Sequence, residues 1–207
     1  MRLVLCRISD STGPARDASW RLLRAPTGAL GTLLELQLGY MLGSVVLVLW
    51  AVLTPSINAM PDAGSLIAAV AVLLPLHELT HAAAFPRSLR SAQLSIALWS
   101  LSVQYDGILS RNRYLAVLAA PLLVITLLPL AVVAAAGYAF APATLLSLLN
   151  VLSSGGDIVA IVLVLAQIPP GAIVRTQGED TMWKLVPASM RNTSDERQIP
   201  APRRISP

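Results

Sequence analysis

The polar positions of this chain are bunched, and between the bunches lie four long apolar stretches, near residues 36–54, 64–86, 114–137 and 143–168. Each suffices for a helix of about 20 residues, the length that crosses roughly 30 Å of hydrocarbon. Helices are the form to expect, because lipid offers an unpaired backbone N–H or C=O no partner. A different period runs over residues 91–105, where Leu94, Ile96 and Leu98 alternate with Ser95 and Ala97 before Leu101, Val103 and Tyr105 alternate in shifted phase. A period of two predicts strands. The change of phase near Trp99 and Ser100, followed by Asp106-Gly107, predicts a hairpin or a bulge and then a turn. After Ile168, Pro169-Pro170 stops the last helix, and residues 172–176 and 181–186 on either side of Gly178 predict a small hairpin.

The expected fold class is therefore an all-α integral membrane protein of about four transmembrane helices with a small cytoplasmic β-hairpin element. Residues 1–35 form an N-terminal segment, 36–168 a transmembrane core with a loop at 87–113, and 169–207 a tail expected to be disordered from about 187. Within the first 27 residues, Trp20, Leu22 and Leu23 among arginines suit a short helix lying at the headgroups or, equally, a loosely ordered lead-in. Arginines and acids interrupt any apolar core of signal-peptide length there, so the first span is expected to act as an uncleaved anchor. Cys6 is the sole cysteine, which rules out an intrachain disulfide.

Charge refines the topology. Only 13% of residues are charged, against roughly 25% in an average soluble domain. The net charge of +4 is sorted by membrane side: Arg2, Arg7, Arg16, Arg21 and Arg24 precede the first span, Arg87, Arg90, Arg111 and Arg113 lie between the second and third, and the other six Lys and Arg follow the fourth. Positive loops stay inside, so both termini and the 87–113 loop are expected in the cytoplasm of a multi-pass cell-membrane protein. Topology thus accounts for the basic excess, and no nucleic-acid partner is expected. The preference for arginine over lysine fits a GC-rich bacterial genome.

The candidate chemistry lies in the second span, which reads His77-Glu78-Leu79-Thr80-His81. Residues four apart share one helix face, so two imidazoles can grip one ion. Glu78 projects beside the pair, where it can take a proton from an activated water instead of ligating. Both histidines of the chain sit in this motif, around one of only four glutamates. An ionisable group inside the membrane costs on the order of 2.5–3.5 kcal/mol on insertion scales, a cost that a nearby divalent cation offsets. The bland alternative is a set of ordinary polar residues at a buried helix end.

Catalytic zinc keeps three protein ligands and an open fourth position, so a third ligand is required. Cys6 and Asp10 lie outside the spans, Glu35 at a membrane edge, Asp62 on the outer side and Asp106 in the cytoplasmic loop; Asp157 alone lies deep in a span. At about 1.5 Å per residue, His77 and His81 lie roughly 13 and 8 Å in from Pro86, and Asp157 roughly 16 Å in from Ile168. Those levels are compatible. Gly155 and Gly156 would let the backbone approach a neighbouring helix or unwind to aim the carboxylate. Asp157 can also be read as a buried acid bonded to Ser153 or Asn150. Asn150 itself suits either an interhelical hydrogen bond or substrate binding.

These residues resemble a family of polytopic membrane zincins, the group called Putative zincin peptidase, itself related to the site-2 proteases. The resemblance covers about residues 64–186 and rests on His77-Glu78-Leu79-Thr80-His81, the Ala120-Pro121 step, and Asn150 through Ser154-Gly155-Gly156-Asp157. In site-2 proteases an asparagine precedes a proline-rich turn ending in Asp-Gly, whose aspartate is the third zinc ligand; here Asp157 follows two glycines and those prolines are missing. The resemblance implies one zinc per chain and hydrolysis of peptide bonds within or beside the membrane. Glu78 would be the general base, His77, His81 and Asp157 the metal ligands, and Asn150 a residue near the substrate. The implied partners are the bilayer and a membrane or membrane-adjacent polypeptide. An edge strand within 91–105 would hold that polypeptide by backbone pairing, or the segment is a passive hairpin at the surface. A non-catalytic membrane scaffold with a structural metal site is the competing function. Metal transport is disfavoured, since the outer halves of the spans lack acids and histidines.

Overall fold

The computed structural model describes residues 2–5, 19–54, 62–86, 92–97, 100–105, 107–136, 141–177 and 180–185. Helix α1 spans Gly28–Leu53 and α2 spans Ala63–Ala84. The third apolar stretch is a composite of α3 (Arg111–Pro121), a π-helical segment (Leu122–Leu127) and α4 (Leu128–Ala136). The fourth is a pair, α5 (Ala141–Ser153) and α6 (Gly155–Gln167), bent by 51° at Ser154. Among the described residues, three helices are long and apolar enough to cross a membrane, and four if the bent pair is one span.

The distribution of polarity is compatible with a membrane protein. Tyr40, Val52 and Ile67 point outward with 70% or more of their surface exposed, whereas Thr126, Ser147, Asn150 and Ser154 are buried to 1% or less. Water would penalise the first set; in the second, Thr126, Ser147 and Asn150 avoid the cost of burial by pairing, while Ser154 Oγ is buried without a partner among the described residues. Trp50 Nε1 donates to Ser147 Oγ at 3.1 Å, and Thr126 Oγ1 donates to the Ser147 carbonyl at 3.2 Å. Val46, Trp50, Leu130, Val133 and Val151 complete a dry cluster joining α1, α4 and α5.

The helix ends follow local signals. Asp62 caps α2: its Oδ1 accepts from the Ser65 backbone N–H at 2.9 Å and its Oδ2 from the Ser65 hydroxyl at 2.7 Å. The hydroxyl first, then the backbone N–H, hold its carboxyl below the usual carboxylate range. Ser110 caps α3 by accepting from Arg113 N at 3.3 Å. Helix α1 starts at Gly28, eight residues before the apolar stretch that begins near 36, so Glu35 lies within the helix. Residues 28–35 carry one ionisable group and, after Gly28, one poor helix former in Gly31, which the helix tolerates; apolarity alone began the stretch later.

The strands exceed the expected hairpin element. Strands β3 (Ala92–Ala97) and β4 (Ser100–Tyr105) pair antiparallel, as the alternation predicts, and β6 (Ala172–Gln177) and β7 (Asp180–Leu185) form the second hairpin. Each hairpin is then extended by distant chain: β1 (Arg2–Leu5) adds parallel to β3, while β2 (Arg21–Leu22) and β5 (Ile108–Ser110) flank the second in the order β2-β7-β6-β5. Ahead of α1 the chain is thus in strands at residues 2–5 and 21–22, and neither reading made of it from sequence holds for residues 21–22. A two-residue strand has no period of its own; β2 exists because β7 offers it an edge. The four-stranded sheet seals one end of the helices, with Leu23, Val174 and Trp183 packed on Leu118, Val164 and Ile168. Residues 186–207, expected to be disordered beyond 187, and Asp106 of the expected turn lie outside the described residues.

Helix α2 is held between α3 and α5, and α1 packs on the other side of the bent pair. The contact is closest at Gly155, where an added Cβ would overlap the Glu35 backbone carbonyl. Gly155→Val is expected to lower stability by about 1–3 kcal/mol or more, since backbone cannot yield as a side chain does. Thermal unfolding in detergent would measure it, and an unchanged midpoint would show that α1 does not press on this turn.

Candidate metal centre

Helical spacing puts His77 and His81 one turn apart on α2, with ring centroids 4.9 Å apart and the rings edge to face. The bend at Ser154 starts a new helix, and Asp157 falls in its first turn. That position suits a carboxylate twice over: it aims inward and sits at the positive end of the α6 dipole. The three side chains converge. His77 Nε2 and His81 Nε2 are 3.2 Å apart, Asp157 Oδ2 is 3.2 Å from His77 Nε2, and Asp157 Oδ1 is 3.4 Å from His81 Nε2.

The remaining ring nitrogens fix which atoms carry hydrogen. His81 Nδ1 lies 2.8 Å from the Val117 carbonyl, which can only accept, so Nδ1 donates. Asn150 Nδ2 lies 3.0 Å from the Pro121 carbonyl and 2.9 Å from Thr126 Oγ1, which orients the amide and turns Oδ1 toward His77 Nδ1 at 2.9 Å. His77 Nδ1 is therefore a donor too. In their neutral forms both imidazoles present bare Nε2 lone pairs to each other and to a carboxylate. Consistently, Asp157 Oδ2 is buried with no aligned hydrogen-bond donor despite its closeness to His77.

Such a convergence of lone pairs is unfavourable by itself and favourable around a cation. A tetrahedral ion with ligand bonds of about 2.0–2.1 Å has ligand–ligand edges of about 3.3 Å. The Nε2–Nε2 distance of 3.2 Å matches such an edge, and the Asp157 carboxylate approaches the two imidazoles with different oxygens, Oδ2 at 3.2 Å from His77 and Oδ1 at 3.4 Å from His81. The donor set of two imidazoles and a carboxylate is one that zinc accepts. Among the described residues, His77, His81 and Asp157 are the group of three whose ligand atoms could hold a metal. They are only slightly exposed, at 11–15% of their side-chain surface, and Glu78 beside them is half-buried.

The structure brings together the three side chains that the sequence named as metal ligands. For Asn150 the sequence left open an interhelical hydrogen bond or substrate binding, and the structure buries Asn150 completely behind His77 with both ends of its amide hydrogen-bonded to other helices. The Val117 carbonyl, Thr126 and the π-helical segment were missed. One signal was available for Val117: it stands four residues before Pro121, the spacing at which a proline leaves a helical carbonyl without its donor.

The structure thus defines a helical chain with membrane-length helices and a His-His-Asp cluster shaped for a metal ion. Residues 70–173, half of the chain, match the model of the family described as Putative zincin peptidase, and the chain belongs to that family. No curated protein and no solved structure matches it. The matched stretch contains the whole cluster, from His77 to Asp157, together with Val117, Pro121, Thr126 and Asn150.

Proposed function

We propose that this protein is a membrane-embedded zinc endopeptidase that hydrolyses peptide bonds within or beside the bilayer. The observation that carries the reading is the convergence of two imidazole Nε2 atoms, 3.2 Å apart, with an Asp157 carboxylate that comes within 3.4 Å of each, with Glu78 one residue from a ligand. His77, His81 and Asp157 would hold the ion. When bound, zinc polarises a carbonyl and lowers the pKa of water from 15.7 toward about 7. Glu78 is assigned as general base: its carboxylate takes a proton from the attacking water and passes it to the nitrogen of the leaving peptide. Asn150 is assigned to holding His77, in place of substrate contact, because its polar atoms are already engaged.

The family membership supports peptidase chemistry, and the exposed apolar helix surfaces support a site inside lipid. A kinship with site-2 proteases belongs to the same proposal. Both use a histidine pair on one helix and an aspartate from a later one; here a glycine pair and a 51° bend stand where those enzymes have a proline-rich turn. By the positive-inside argument both termini and the four-stranded sheet face the cytoplasm, and the substrate is a membrane or membrane-adjacent polypeptide.

The test is cleavage of a fluorescently labelled single-span peptide by the purified protein in detergent. Activity that a zinc chelator removes and added zinc restores is expected. Chelation that removes zinc without affecting cleavage would refute the metal mechanism, and zinc binding without cleavage of any such peptide would favour a scaffold whose metal is structural.

A further inference from the structure

Helix α3 ends at Pro121 and the chain passes into a π-helical turn, and the groups that hold both histidines come from this junction. In a regular helix the Val117 carbonyl accepts from the N–H four residues on. That residue is Pro121, which has no N–H. The next amide, Leu122 N–H, bonds to the Ala119 carbonyl and so does not take its place. His81 Nδ1–H donates to the Val117 carbonyl at 2.8 Å, and this buried bond keeps hydrogen off the ring nitrogen that faces Asp157.

The other histidine is held through the same step. The π-turn shifts the ladder to bonds five residues apart, as Leu128 N–H to the Leu123 carbonyl shows at its far end. Thr126 faces inward there at 1% exposure, and Asn150 Nδ2 spans its hydroxyl and the Pro121 carbonyl. With its amino end anchored, the amide cannot flip, and Oδ1 is left to accept from His77 Nδ1 at 2.9 Å. Two unrelated acceptors, one backbone and one side chain, thereby impose the same tautomer on two rings.

We propose that Pro121 is a positioning residue for the metal centre: by withholding one N–H it releases the Val117 carbonyl to fix the tautomer of His81, while its own carbonyl anchors the Asn150 amide that fixes His77. For its consequence, tighter metal binding, the proposal rests on the zinc-peptidase reading. The tautomers themselves are a property of the metal-free protein, so the two ideas fail separately.

The chain has two histidines, which makes the measurement direct: metal-free, imidazole-15N-labelled protein in detergent gives two ring systems by NMR. Wild type is expected to show both protonated at Nδ1. Pro121→Ala supplies an N–H that competes for Val117, so His81 should gain Nε2–H while His77 keeps its tautomer. Asn150→Ala should do the reverse, and Asn150→Asp, which retains an acceptor, should restore His77. In zinc competition assays each disruptive variant should weaken binding by about 10–100-fold. An unchanged His81 tautomer in Pro121→Ala would overturn the proposal, as would both rings responding alike to both alanine variants, the mark of general loosening. Should Pro121→Ala not fold, the Asn150 pair decides: failure of Asp to restore what Ala disrupts would overturn it equally. Wild type that shows the expected tautomers but binds no zinc would leave the positioning intact and remove the peptidase reading.

Discussion

Replacing Glu78 with glutamine is expected to lower peptide cleavage by about 10²–10⁴-fold while zinc stays near one per chain. Glutamine keeps the shape of glutamate and its hydrogen-bonding reach but cannot accept a proton at neutral pH. Glu78 is not among the clustered ligand atoms, so the ion's site should survive the change. The effect should fall on turnover more than on substrate affinity, because the proton moves only as the reaction proceeds. Zinc content, thermal midpoint and cleavage rate measured on one preparation separate the outcomes. Loss of zinc together with activity would make Glu78 a ligand or a structural group, and full activity would dismiss it as the base.

Substituting Asp157 with alanine is expected to empty the site, with zinc falling from about one per chain toward none under mild chelator competition. Two imidazoles would remain, one ligand short of the three protein groups that catalytic zinc sites keep. The fold should tolerate the change. Losing a carboxylate from the first turn of α6 costs roughly 0.3–1 kcal/mol of helix-dipole interaction, and the convergence of His77, His81 and Asp157 lone pairs is relieved at the same time. Elemental analysis beside circular dichroism tests both halves of the expectation. Zinc bound at wild-type stoichiometry and affinity would mean that the third ligand is another residue and that the aspartate acts only through the helix end.

Several features were legible because they are periodic or compositional. The apolar lengths announced α1, α2 and the two composite spans, and alternation announced β3, β4, β6 and β7. The His77-Glu78-Leu79-Thr80-His81 spacing announced one half of the centre by helix geometry alone. Asp157 followed from the cost of an acid inside lipid, and its contacts with both imidazoles match that argument. What escaped were features made by distant partners that leave no period or composition of their own. Strands β2 and β5 are two and three residues long and take their conformation from β7 and β6. Gly155 and Gly156 allowed either a close approach or a break, and the structure shows both, in the seat of Glu35 against Gly155, a contact between residues 120 apart, and in the bend at Ser154. Asn150 carried the right chemistry for two roles, and only its neighbours on α3 and the π-turn separate them.

By itself the sequence determined which segments are apolar enough for lipid, which side of one helix carries the imidazoles, and which acid lies at their depth, since each follows from short-range geometry and solvation. Tertiary structure decided how the ligand set is held: which ring nitrogens carry hydrogen, which carbonyls receive them, and where the fourth stretch breaks to aim Asp157. Those outcomes depend on hydrogen bonds between helices, whose directionality within a few ångströms no linear pattern encodes.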